Sequence, residues 1–349
     1  VTDTEPGIVR VSNGAGFVYR TRKGIEVSDP RTLDRIRQLA IPPAYTNVWI
    51  CRHARGHLQA TGRDARGRKQ YRYHPEWTAV RNVGKFDRLI SFGTALPRLR
   101  RRLASDLALP GFPREKVIAI VISVLADTMI RIGNDEYARS NRSYGLTTLR
   151  SRHVDFQRGG RARFRFQGKG RQAHDIVLDD KRLVRLVRSC QQLPGQTLFQ
   201  YRDDQGRPQP LGSTLVNGYL QEVMNDVFTT KDFRTFAGTL SAFRLLARTP
   251  LPAGRKGGPP SERALAGIEN DVVRIVADVL GNTPAVSRKA YIDPTVFDGW
   301  RDGRLARAAD GVTGARQWEM ALIRFLRRRR VRRAAPGRDA AGRVRSTAD

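Results

Sequence analysis

The chain has 349 residues, 40% of them apolar, which is enough for two domains with real hydrophobic cores and excludes a disordered polypeptide. Its 64 lysines and arginines against 33 aspartates and glutamates leave a formal net charge of +31, far more than solubility requires, so the expected partner is a polyanion. Two distant cysteines, Cys51 and Cys190, exclude a disulfide framework, and the lack of an 18-residue apolar run or a basic-then-apolar leader leads us to expect neither a membrane span nor export.

Residues 1–82 alternate turn signals with short extended segments, as at Phe17-Val18-Tyr19, Val48-Trp49-Ile50 and Leu58-Gln59-Ala60-Thr61-Gly62, and predict a small β-rich N-terminal domain. Within it, residues 63–73 interleave cations with Gln70, Tyr71 and Tyr73. As a strand this segment places both tyrosines on one face. A solvated edge strand blunted by charge would look similar, but the overall charge favours contact with DNA. Cys51, His53 and His57 have a loosely metal-like spacing. Arg52 and Arg55 between them would repel a cation, and no metal is expected.

A larger, mainly α-helical domain is expected over 83–349, giving an α+β chain. Phe86, Leu89, Ile90, Leu96, Leu99 and Leu103 recur at helical spacing, and an apolar helix over 115–132 stops at Gly133-Asn134 with Arg131 at its end. Three extended segments follow, over 146–156, 161–166 and 175–178, separated by Gly159-Gly160 and Gly168-Lys169-Gly170. They predict a three-stranded antiparallel sheet with Lys169 at a hairpin tip. Helices are expected near 213–228, 232–247, 261–280 and 315–333. The Pro- and Gly-rich segment 250–260 reads as a loop, and the tail after about 334 as flexible.

Lys231-Asp232-Phe233-Arg234-Thr235 opens a helix whose core face is Phe233, Phe236, Ala237, Leu240 and Phe243, with Asp232 or Thr230 as its cap. Arg234 falls in the first turn, where a guanidinium and the positive helix end can share a phosphate. In the segment from Gly281 to Tyr291, a tyrosine stands two residues after Arg288-Lys289. A phenol of pKa about 10 needs neighbouring positive charge or a proton acceptor to attack a phosphate. Singly, each residue has an ordinary explanation: helix-end charge for Arg131, a surface salt bridge for Arg234, turn solubility for Lys169 and half-buried packing for Tyr291.

Taken in order, residues 41–49, 56–64 and 68–74, Arg131-Ile132-Gly133-Asn134, residues 144–149, Gly168-Lys169 with His174, Lys231-Asp232-Phe233-Arg234-Thr235, and the stretch from Asn282 to Tyr291 resemble the type IB DNA topoisomerases. The resemblance is to their poxvirus-like bacterial branch and covers almost the whole chain. It implies an enzyme that nicks one strand of duplex DNA through a transient 3′-phosphotyrosyl bond, lets the duplex rotate, and religates without ATP or metal. It assigns the nucleophile to Tyr291, the general acid to Lys169, and the grip on the non-bridging phosphate oxygens to Arg131, Arg234 and Asn282. The poxvirus and eukaryotic enzymes have histidine where this chain has Asn282, which donates a hydrogen bond but adds no charge.

The resemblance further implies DNA contacts from Gln70, Tyr71, Tyr73, Tyr137 and Lys231, with Arg288 and Lys289 facing the duplex and the two domains clamping it. It implies no cofactor, a monomer, and a cytoplasmic, nucleoid-associated site of action. Consistently, no Gly-x-x-x-x-Gly-Lys-Ser/Thr sequence is present. Two alternatives remain at this level. A tyrosine recombinase would carry a histidine two or three residues before its second arginine, where this chain has Lys231 and Asp232. A non-enzymatic basic protein accounts for the charge but not for the ordered placement of Arg131, Lys169, Arg234 and Tyr291.

Overall fold

Short alternating segments at the N-terminus form β1 (Ile8–Ser12), β2 (Phe17–Thr21), α1 (Pro30–Gln38), β3 (Thr46–Ile50), β4 (Leu58–Arg63) and β5 (Lys69–Tyr73) in a computed structural model of the chain. The structure describes residues 1–334 apart from 15, 66 and 255–257, and residues 78–85 and 329–334 by their backbone only. The tail expected to be flexible after 334 lies outside the described residues. The five strands form one antiparallel sheet in the order β2-β1-β3-β4-β5. Its apolar positions, Ile8, Val48, Ile50 and Ala60, pack with Ile36 of α1 to make a small core.

Polar side chains complete this sheet. Arg10 donates to the carbonyls of Ile41, Pro42 and Pro43 at 3.3, 3.0 and 3.2 Å. Gln59, 2% exposed, donates to the carbonyls of His53, Ala54 and Gly56 and accepts from Arg35 at 2.7 Å. A buried amide is tolerated when its donors and acceptor are satisfied. Residues 41–45 and 56–59 therefore hold the loops of this sheet in shape.

The chain divides into two compact units, Val1–Phe86 and Asp87–Asp349, and the division falls inside α2 (Pro75–Asp106). This helix starts well before the apolar periodicity that begins near 84, because Pro75 and Glu76 suit a first turn without supplying a hydrophobic pattern. The second unit continues with α3 (Arg114–Thr128), α4 (Asp135–Asn141), β6 (Val154–Gln157), β7 (Arg161–Gln167), β8 (Ala173–Leu178), α5 (Lys181–Gln191), β9 (Gln200–Arg202) and β10 (Pro208–Pro210). It ends with α6 (Ser213–Met224), α7 (Thr230–Ala247), α8 (Glu262–Leu280), α9 (Pro284–Tyr291), α10 (Thr295–Arg301), α11 (Arg304–Ala308) and α12 (Ala315–Ala334). The expected three-stranded antiparallel sheet is present in the order β6-β7-β8. Among the described residues, no helix is long and apolar enough to cross a membrane.

The helical core is built around α7. Phe92 of α2 meets Phe228 and Phe233 edge-on at 5.3 and 5.0 Å, and Phe243 contacts Trp318 and Phe325 of α12. Gly93 lets α2 approach closely: a Cβ there would come within 2.7 Å of Phe236 and 2.8 Å of Ile323.

Two expectations need correction, and one helix was not expected. The apolar helix ends at Thr128, four residues before 132, because Met129 turns left-handed at φ 54°. The carbonyls of Arg131 and Ile132 then accept from Leu146 and Thr147 at 2.8 and 2.7 Å, so tertiary partners replace helical ones. Residues 146–153 are accordingly two 3-10 turns and not a strand. Finally, α5 escaped the sequence reading although Leu183, Val184, Val187 and Cys190 mark its buried stripe.

Candidate active site

The C-terminal ends of α3 and α8 meet, and their orphan carbonyls draw in two arginines. Arg234, from α7, is 4% exposed and donates through Nη1 to the Met129 carbonyl and through Nη2 to the Leu280 carbonyl. Arg131 places both terminal nitrogens 3.4 Å from the Gly281 carbonyl and donates through Nη2 to Asn282 Oδ1. Arg234 thus spans two helix ends. It is neither on the surface, as a salt bridge would put it, nor directed at the N-terminus of its own helix.

Asn282 is fixed by the corner between α8 and α9. Gly281 closes α8 in the left-handed region at φ 55°, and the Asn282 N–H donates to the Ala277 carbonyl at 2.9 Å. Thr283 then caps α9, with Pro284 at its first position. Asn282 is left with its oxygen on Arg131 and its Nδ2 buried without a partner, and Arg234 Nε is buried and unpaired as well.

Burial pushes the Arg234 pKa down to about 10, and the like charge of Arg131 adds to the effect while Tyr291 opposes it. Burial lowers Arg131 too, again against the pull of Tyr291. Both stay charged at neutral pH, and among the described residues neither forms an ion pair with a carboxylate. A buried and a half-buried cation, with unpaired buried donors on Arg234 and Asn282, form a site suited to an anion.

Tyr291 closes α9 with its ring 5.3 Å from the Arg234 guanidinium carbon. Its backbone is seated on α7: Thr239 Oγ1 donates to the Tyr291 carbonyl at 3.2 Å, and a Cβ on Gly238 would come within 2.6 Å of that oxygen. Positions 234 and 238 lie on one helix face, so a single helix supplies both the cation and the seat. Sequence reasoning missed Gly238 and Thr239. The available signal was a glycine in a helix interior, which costs about 0.5–1 kcal/mol and marks a close approach.

Arg288 is held by partners within the fold. It donates to Glu269 at 3.1 Å and to Asn270 at 3.2 Å and lies over Phe297. Glu269, 5% exposed, also accepts from Arg301 at 2.6 Å, which ties α8, α9 and α10 together. Lys289 is exposed. The α7 cap is likewise shifted: Thr229 caps, and the Asp232 carboxylate accepts from the Thr229 N–H at 2.8 Å in a capping box.

Lys169 is exposed on the turn between β7 and β8, a turn made possible by Gly170 at φ 77°. Tyr71 and Tyr73 stand on the edge strand β5 with rings 6.2 Å apart and 11° from parallel, on one face as the strand period requires. The Gln70 amide donates to Asp64 at 2.9 Å. Tyr137 is exposed on α4, where its N–H is capped by Asn134, and Lys231 is exposed in the first turn of α7.

His174 of β8 lines a cavity of about 390 Å³ with Arg131 and Arg234. Burial, then Arg131 and Arg234, lower its pKa to about 4. Between about pH 6.5 and 4 the unfolded chain therefore binds a proton that the folded chain refuses, and stability falls as pH falls. The urea midpoint should drop across this window by more in the unmodified protein than in His174→Phe; equal slopes would contradict this assignment.

Comparisons with known proteins identify the family. Residues 74–298 match the family model described as eukaryotic DNA topoisomerase I, catalytic core, and residues 16–64 match that of the bacterial DNA topoisomerase IB N-terminal domain. The DNA topoisomerase 1B of Acanthamoeba polyphaga mimivirus is 33% identical over 82% of this chain and 85% of its own length. That of Vaccinia virus (strain Copenhagen) is 22% identical over 76% and 81%, and the DNA topoisomerase 1 of Rabbit fibroma virus 20% over 78% and 83%. Family models spanning both units and a relative at this identity over most of both chains place the protein: it belongs to the type IB DNA topoisomerases.

Proposed function

We propose that Tyr291 opens one DNA strand by in-line attack of its oxygen on a backbone phosphorus, with Arg131, Arg234 and Asn282 holding the non-bridging oxygens. The observation that carries this reading is the Arg131–Arg234 pair, half-buried and buried, beside Tyr291, with no carboxylate ion-paired to either among the described residues and with Arg234 Nε and Asn282 Nδ2 unpaired. Charge that develops on a five-coordinate phosphorus meets donors already in place, and each such donor is worth about 10²–10³ in rate. The phenol gives its proton to solvent as the phosphorus–oxygen bond forms. The bond to the 5′ oxygen breaks, and Lys169 protonates that strongly basic leaving group before regaining a proton from solvent, a contribution of about 10²–10⁴.

The 3′-phosphotyrosyl product conserves the broken bond, so the freed 5′ hydroxyl reseals the strand by the reverse path without ATP. In the interval the downstream duplex rotates and supercoils of either sign are lost. Gln70, Tyr71, Tyr73, Tyr137 and Lys231 contact the duplex in this reading, and the enzyme works as a monomer on the nucleoid in the cytoplasm. The net charge of +31 makes binding steeply salt-dependent.

Incubation with positively or negatively supercoiled plasmid in EDTA, without nucleotide, is expected to give a ladder of relaxed topoisomers from both. Dependence on a divalent metal or ATP, or joining of plasmids at one defined site in place of relaxation, would overturn the reading.

A further inference from the structure

Lys169 sits on a turn that is weakly determined by its own bonds. The Gly168 N–H donates to the Gln172 carbonyl at 2.8 Å and the Arg171 N–H to the Gly168 carbonyl at 3.1 Å, while Gly170 and Arg171 both have positive φ. What joins this turn to the rest of the site is the imidazole of His174. The ring stacks on Phe166, its cross-strand partner on β7, at 5.0 Å and 18°. A Cβ added to Gly168 would come within 2.5 Å of His174 Cδ2 and Nε2. A Cβ on Gly281 would come within 2.5 Å of Cε1 on the ring's other side. One ring thus fills the space between the residue preceding Lys169 and the residue preceding Asn282, and no side chain larger than hydrogen fits at either border.

We propose that His174 is a positioning residue, a rigid spacer that sets the distance of the Lys169 turn from the corner at Gly281 and Asn282. The proposal rests on the reading of Lys169 as the general acid. The ring makes no hydrogen bond among the described residues, so it acts through shape. Being neutral at working pH, it adds no third repelling charge next to Arg131 and Arg234. Misplacing a catalytic group by about 1 Å costs on the order of 10²-fold, so a loose turn has a kinetic signature.

That signature is specific to the protonation step. A sulfur in place of the bridging 5′ oxygen leaves as a thiolate, whose conjugate acid has a pKa near ~8.5, and needs no proton from Lys169. Single-turnover cleavage is therefore measured on a duplex with a mapped cleavage site, carrying either oxygen or sulfur at that position. His174→Ala is expected to slow cleavage of the oxygen substrate by about 10- to 100-fold. On the sulfur substrate that loss should largely disappear, as it should for Lys169→Ala, and His174→Phe, which keeps a planar ring, should stay close to wild type on both.

If His174→Ala is equally slow on both substrates while Lys169→Ala is rescued by sulfur, the ring acts elsewhere and the proposal fails. It fails too if His174→Ala costs nothing or if His174→Phe is as slow as His174→Ala. If Lys169→Ala is not rescued by sulfur, Lys169 is not the acid, and both the reading above and this inference fall.

Discussion

Tyr291→Phe is expected to abolish both relaxation and the covalent protein–DNA complex while leaving the fold and the affinity for DNA nearly unchanged. The substitution removes one oxygen. The ring that faces Arg234 and the backbone seated against Gly238 and Thr239 both remain, so neither packing nor the α9 position changes. Binding persists because one neutral group contributes little beside a net charge of +31. Covalent catalysis has no substitute once its nucleophile is gone, and losses on the order of 10⁶ are typical of such removals. Asn282→Ala, by contrast, keeps the nucleophile and removes a single donor, and its loss should be about 10²–10³. Denaturing gels after incubation with labelled duplex separate the two cases. No adduct should form with Tyr291→Phe, and a slowly accumulating one with Asn282→Ala. An adduct of undiminished yield with Tyr291→Phe would place the nucleophile elsewhere.

Much of this arrangement is written locally in the chain, and the exceptions share a cause. The α+β class, the β6-β7-β8 sheet and the aromatic face of α7 follow from periodicities of two and 3.6 that local sequence carries directly. Arg131, Arg234 and the pair Asn282 and Tyr291 come from three separate stretches, yet they meet at the ends of α3 and α8; Lys169 stands apart on an exposed turn. The end of α3 was misread because Met129-Ile130-Arg131-Ile132 continues an apolar helical pattern. Distant groups divert its carbonyls: Leu146 and Thr147 take those of Arg131 and Ile132, and the Arg234 guanidinium takes that of Met129. The ion pair of Arg288 was illegible for the same reason, since its partner Glu269 belongs to another helix. The α7 cap and the glycine at 238 were different: both signals were local, a Thr-x-x-Asp box one position earlier than supposed and a small residue inside a strong helix.

Arg234→Ala is the second large effect, and it should act on stability and rate through different atoms. In the folded protein the guanidinium satisfies the last carbonyls of two helices, at Met129 and Leu280. Its loss leaves both without that donor inside the core, at about 1–3 kcal/mol each where water cannot reach them, so the urea midpoint should fall clearly. The rate should fall by about 10²–10³ or more at saturating DNA, because a charge aimed at the developing oxyanion is lost while ground-state binding is spread over many other cations. Arg234→Lys separates the two roles. An ammonium restores the charge, but as a compact point donor it cannot reach Met129 and Leu280 at once and still face a phosphate, as a planar fork can. Lysine should therefore recover part of the stability and little of the rate. If Arg234→Lys cleaves as fast as the unmodified enzyme, charge alone suffices and the fork spanning the two helix ends is not what catalysis requires. If Arg234→Ala itself stays within about tenfold, less than the loss of one oxyanion donor, Arg234 does not touch the reacting phosphate at all.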